Sequence, residues 1–152
     1  MEKRHAKICE RSMSKAEFDT LAQFRYQWRR FLRFSEAATR RNGVTPLQYQ
    51  LMFQIKGFPG REWATVVELE LAERLQATHH GVVALISRCE EAGLVMRNTS
   101  RSDTHLVEVQ LTGKGEHCLE PLARLHRAEH LSLQGEFAIP SFTADSPEQA
   151  PR

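Results

Sequence analysis

Residues Leu71–Val95 read LAERLQATHHGVVALISRCEEAGLV, and this stretch decides the fold. Leu71, Ala72 and Leu75 recur at helical spacing, and the three residues Gln76, Ala77 and Thr78 break the pattern. Val82, Leu85, Ile86 and Cys89 then fall on one side of a second helix, expected from His79 to about Ala92 and closed by Gly93. Thr78 stands where a side-chain oxygen caps the new helix. The helix opens on His79, His80 and Gly81, which are weak helix formers. Its outward face carries His80, Ala84, Ser87 and Glu91, flanked by Val83 and Arg88. Small, mildly polar side chains let a helix approach a groove floor, where His and Ser can bond base edges or phosphates. The free N–H groups of its first turn suit a phosphate.

The segment that follows, LVMRNTSRSDTHLVEVQLT, predicts two strands, Leu94–Arg97 and Leu106–Leu111, around a polar loop. Helix, short turn, helix, strand, loop, strand is the order of a winged helix-turn-helix. Upstream, Thr45, Pro46 and Gln48 form a helix start with a capping box, and Leu47, Leu51 and Ile55 are expected to face inward. Before the decisive stretch, Thr65 with Glu68 offers a second capping box, and a short strand over Trp63–Val66 is equally allowed. A long first helix is expected from Ser14, with Phe18, Leu21, Phe24, Trp28, Phe31 and Leu32 as its apolar stripe, ending before Gly43. Thr112 opens a last helix through about Leu133, with Leu119, Leu122, Leu125 and Ala128 as its stripe. The fold class is therefore mainly α with a small β-wing. Residues 1–13 are expected to form a basic arm, 14–42 and 112–134 flanking helices, 43–111 the winged helix, and 135–152 a flexible tail.

Composition sets the outer limits. The 152 residues suffice for one domain with a core, and 41% hydrophobic with 26% charged residues is ordinary for a globular protein. No apolar run reaches membrane length, and the N-terminus lacks the apolar region of a secretory signal, so a cytoplasmic location is expected. Cys9, Cys89 and Cys118 are odd in number and widely spaced, which fits reduced thiols. Residues 1–43 hold eleven Lys/Arg against five acids, while residues 44–133 hold nine against eleven. A basic arm on a nearly neutral body is compatible with a polyanionic partner without demanding one. No nucleophile–base set, phosphate loop or metal motif is present, so neither an enzyme nor a cofactor is expected.

The segments GVTPLQYQLM, LAERLQATHHGVVALISRCEEAGLV and VQLTGKGE, with Arg97 and Asp103 between them, resemble the MarR family of transcription regulators from about Gly43 to Leu122. The resemblance implies a homodimeric bacterial repressor of palindromic operators, and it assigns dimerisation to the flanking helices 14–42 and 112–134. It also implies release of double-stranded DNA by a small, often aromatic or anionic, effector. It assigns Thr78, His79, His80, Val83, Ala84, Ser87 and Arg88 to the major groove and the wing, with Arg97, Arg101 and His105, to the DNA beside it. His105 stands where the family usually places an arginine, and Arg101 is the candidate substitute.

Plainer readings stand beside these. Trp28 and Tyr49 are candidates to line an effector pocket, against simple core and dimer packing. His126 and His130 share a helix face at metal-binding spacing but lack a third ligand in the sequence. Cys9 or Cys118 as an oxidant sensor has no activating pattern. A winged helix that binds a protein instead of DNA is the alternative function.

Overall fold

A computed structural model describes residues 12–61, 66–99, 105–133 and 139–141. Its elements are α1 (Lys15–Arg41), α2 (Pro46–Lys56), β1 (Val66–Val67), α3 (Glu68–Leu75), α4 (His79–Glu91), β2 (Val95–Thr99), β3 (Val107–Leu111) and α5 (Gly113–Ser132). The chain divides into two units, residues 1–32 with 133–152 and residues 33–132.

In the first unit, α1 starts at a capping box that the sequence reading passed over. The Glu17 N–H donates to Ser14 Oγ at 3.2 Å, and the Ser14 N–H donates to Glu17 Oε2 at 2.7 Å. Of the six residues of the expected apolar stripe, Leu21, Phe24 and Phe31 are half-buried, while Phe18, Trp28 and Leu32 are exposed.

The second unit holds the core. Leu51, Met52 and Ile55 of α2 meet Leu71 of α3, Val82, Ile86 and Cys89 of α4, and Leu122 of α5. Val66, Val95 and Val109 add the apolar face of the sheet. Each large side chain so buried contributes roughly 1.5–3 kcal/mol of transfer free energy. The sheet is antiparallel in the order β1-β3-β2, with Val66 opposite Val109 and Arg97 opposite Val109 on the other side. The central strand is thus the later one, and β1 is a two-residue addition to its free edge.

Local chemistry sets the helix ends. At α2, Thr45 Oγ1 accepts from the Gln48 N–H and Gln48 Oε1 accepts from the Thr45 N–H, the expected capping box. Gly43 adopts φ +76°, the left-handed conformation that ends α1. At α5, Thr112 Oγ1 accepts from the Gly115 N–H and donates to Gly93 O at 2.6 Å, and Lys114 Nζ donates to Ala92 O at 2.8 Å. The last helix is therefore hydrogen-bonded at its start to the end of α4.

Three expectations are corrected. Leu47 is 59% exposed. The buried face of α2 runs through Tyr49, Leu51, Met52 and Ile55, and Leu47 lies about 110° from its centre at roughly 100° per residue. The Thr65–Glu68 box does not begin α3: the helix starts at Glu68, and Glu70 Oε2 accepts the Val67 N–H at 3.0 Å. Thr65 and Trp63 lie outside the described residues. On α5 the buried stripe is Gly115, Leu119, Leu122 and His126, so His126 takes the place expected of Leu125, which is exposed along with Ala128.

Candidate nucleic-acid interface

The turn between α3 and α4 is built around Gln76, which adopts φ 49° and ψ 46°. Its side-chain Nε2 donates to Glu73 O at 2.7 Å, offsetting some of the strain of a non-glycine residue there. Thr78 Oγ1 then accepts the Gly81 N–H at 3.0 Å and caps α4. A Cβ at Gly81 would itself stand 3.0 Å from that oxygen, so the weak helix former leaves room for the cap. Val82, Leu85, Ile86 and Cys89 are buried, as the periodicity requires.

The opposite face carries the expected set. Thr78, His79, His80 and Arg88 are exposed; Val83, Ala84 and Ser87 are half-buried. His79 Nε2 lies 3.6 Å from Glu68 Oε2. In the wing, His105 is exposed just before β3, and Arg101 lies outside the described residues.

Arg97 departs from the expected picture. Its guanidinium turns inward beneath α4. Nε donates to Glu68 Oε1 at 3.0 Å, Nη1 to Glu90 Oε1 at 3.3 Å, and Nη2 to both Val83 O at 2.8 Å and Ser87 Oγ at 3.1 Å. The Arg97 backbone N–H donates to Glu90 Oε2 at 3.0 Å. Ser87 Oγ in turn donates to Val83 O at 3.0 Å. A hydroxyl has one proton and two lone pairs, so Ser87 keeps one acceptor site for an outside partner and no donor. Sequence reasoning placed Arg97 and Ser87 on this face but missed Glu68 and Glu90 as their companions.

This order of elements, with a capped second helix presenting small residues beside a β-hairpin wing, is a winged helix-turn-helix. Residues 42–104 match the family model described as MarR family. The domain is a MarR-family winged helix. An HTH-type transcriptional regulator of Bacillus cereus is 28% identical over 119 residues, covering 72% of this chain and 71% of its own. The MarR family transcriptional regulator AbsC from Streptomyces coelicolor has a similar fold, with TM-score 0.70 at 21% identity over 84% of this chain and 82% of that one. A mutant of MepR from S. aureus, solved bound to an oligodeoxyribonucleotide, gives TM-score 0.60 at 16% identity over 84% of this chain and 86% of that one. The winged helix of this chain is therefore similar in sequence and in fold to MarR-family transcription regulators.

Outside the MarR winged surface, the other candidates separate. Tyr49 is buried and stacks on His126 with ring centroids 4.6 Å apart, and burial pushes its hydroxyl up to about 12. Trp28, in the other unit, is exposed and lies 6.1 Å from the Phe31 ring. Both ring nitrogens of His126 are hydrogen-bonded, to Leu122 O and Ser35 Oγ, so they are engaged within the fold. Burial raises the Cys118 thiol and pushes that of Cys89 up to about 11, which disfavours the reactive thiolate. Cys9 lies outside the described residues. No described helix is long and apolar enough to cross a membrane.

Proposed function

We propose that this regulator acts as a homodimeric repressor of an inverted-repeat operator, with α4 reading the major groove and the wing alongside. The observation that carries the reading is the face of α4: a side-chain-capped N-terminus followed by exposed His80 and the small, half-buried Ala84 and Ser87, which let this stretch approach a groove floor. The exposed apolar residues of α1, Phe18, Tyr26, Trp28 and Leu32, support a second copy as partner, since a patch of that kind is costly to leave in water. Two-fold protein symmetry calls for two-fold DNA, with half-sites roughly 34 Å apart. Release by a small aromatic or anionic effector follows from the family resemblance. Trp28, the exposed member of the candidate pair with Tyr49, is the residue to probe first.

Selection of bound sequences from random duplex DNA by the purified protein tests the reading. An enriched inverted repeat is expected. Recovery of unenriched DNA, or of a single half-site at saturation, overturns it. Loss of binding to heparin and random duplex alike at low salt would favour a protein partner for the same surface.

A further inference from the structure

A wing arginine beside a DNA-reading helix invites the assumption that it grips phosphate. Its surroundings argue otherwise. Four of the five guanidinium N–H donors of Arg97 are engaged within the fold, on Glu68, Glu90, Val83 and Ser87. Two carboxylates offset its single positive charge, so the group of three carries a net negative charge and attracts no phosphate. Its side chain is 22% exposed and that of Glu68 only 14%. Reaching a phosphate would require the guanidinium to abandon partly buried acceptors, leaving them unmatched.

Arg97 and its partners together span three separate elements. Val83, Ser87 and Glu90 are successive positions on one edge of α4, Glu68 is the first residue of α3, and Arg97 is the middle of β2. Glu68 presents Oε1 to Arg97 and Oε2 towards His79, the first residue of α4. One carboxylate therefore meets both the wing and the start of the reading helix. Packing of Val82 and Ile86 sets the depth of α4 in the core, but apolar contact is non-directional. The planar fork supplies the directional constraint that packing lacks.

We propose that Arg97, held by Glu68, is a positioning residue that fixes the angle of α4 relative to the wing strand and does not itself contact DNA. This rests on the DNA-reading function proposed above and assigns the origin of its specificity.

The test compares wild type with Arg97→Lys and Glu68→Gln. Lysine keeps the charge but cannot span three elements; glutamine keeps the shape of Glu68 and removes its charge. Affinity is measured for the selected operator and for random duplex across a salt series, with far-UV circular dichroism and thermal unfolding on each protein. The expected result is folded variants whose binding to random duplex and salt slope match wild type. Their affinity for the selected operator should fall roughly tenfold, the scale of one misplaced base-edge contact. A third variant, Arg97→Gln, removes the charge, and a salt slope lower by about 0.9 in it would show a phosphate contact and overturn the assignment. An unchanged ratio of operator to random binding would also overturn it, while leaving the DNA-reading function standing. Wild type that binds no DNA overturns both. Should Arg97→Lys fail to fold, Glu68→Gln still tests the positioning through the ratio of operator to random binding, because the guanidinium stays on its α4 acceptors and loses only its ion pair with α3.

Discussion

The Cβ that Gly115 lacks would stand 2.1 Å from the carbonyl oxygen of Leu94. That oxygen already accepts the Thr112 N–H at 3.1 Å, so the start of α5 and the end of the α4–β2 turn meet backbone to backbone. In an exposed helix, Gly→Ala stabilises by about 1 kcal/mol. Here the sign reverses: Gly115→Ala should destabilise by roughly 2–3 kcal/mol or more through overpacking. Urea unfolding at neutral pH checks it, and a midpoint at or above wild type would refute the close approach.

Glu70 links the entry of α3 to Arg61. Hydrogen bonds from both Arg61 Nη atoms, at 2.7 and 2.5 Å, hold its carboxyl below the usual carboxylate range, with the Val67 N–H adding to the effect. A depressed carboxyl contributes stability above its unfolded value and loses it as pH falls through the folded one. Both side chains are about a third exposed, 37% for Arg61 and 32% for Glu70. The contribution is accordingly under about 1 kcal/mol. Glu70→Gln keeps an acceptor for Val67 and removes the charge. Its stability deficit should be present at pH 7 and disappear as pH falls below about 4; a deficit that persists unchanged at pH 3 would count against the ion pair.

His126 joins α5 to the C-terminal half of α1. A carbonyl only accepts, so Nδ1 carries the proton towards Leu122 O at 2.7 Å, and in the neutral ring Nε2 accepts from the Ser35 hydroxyl at 2.8 Å. The ring lies flat against Tyr49 and edge-on to Phe34. Truncation in His126→Ala should cost about 2–4 kcal/mol, combining a cavity with an unmatched hydroxyl, against about 1 kcal/mol for Ser35→Ala. Equal losses in the two variants would show that the ring contacts contribute little.

On the reading face, Ser87 and Arg88 should behave differently. With its proton committed to Val83 O, Ser87 can only accept from a base. Adenine N6 and cytosine N4 are the major-groove donors, so selection should favour an amino base over a keto base at one position of each half-site. Ser87→Ala should remove that preference. Arg88→Ala should instead weaken all sequences alike and lower the salt slope by about 0.9. A swapped pattern would exchange their roles.

What was legible in the sequence was local. Thr45, Pro46 and Gln48 carry their own instructions within four residues, and so do Val82, Leu85, Ile86 and Cys89 on one helix face. The Ser14–Glu17 box is equally local. The pairing of Arg97 with Glu68 spans 29 residues and depends on how β2 docks under α4, which no periodicity encodes. From sequence, Glu68 reads as a cap partner of Thr65, because a capping pattern is visible there and a tertiary ion pair is not. His126 reads as a candidate metal ligand for the same reason: its partner Ser35 lies 91 residues away.

The left-handed residue in the turn bears on how such a chain can diverge. His80, Ala84 and Arg88 project from α4, and on the proposed function exchanging them would alter what is read without disturbing the core. Gln76 is not so interchangeable. At φ 49° a β-branched residue would be strained by about 1–3 kcal/mol. Glycine or asparagine would tolerate the geometry but lose the longer side chain's bond to Glu73 O. Descendants of this sequence are therefore free to explore new operators along one face of a helix, while the hinge of chain before it narrows the set of neighbours through which they can pass.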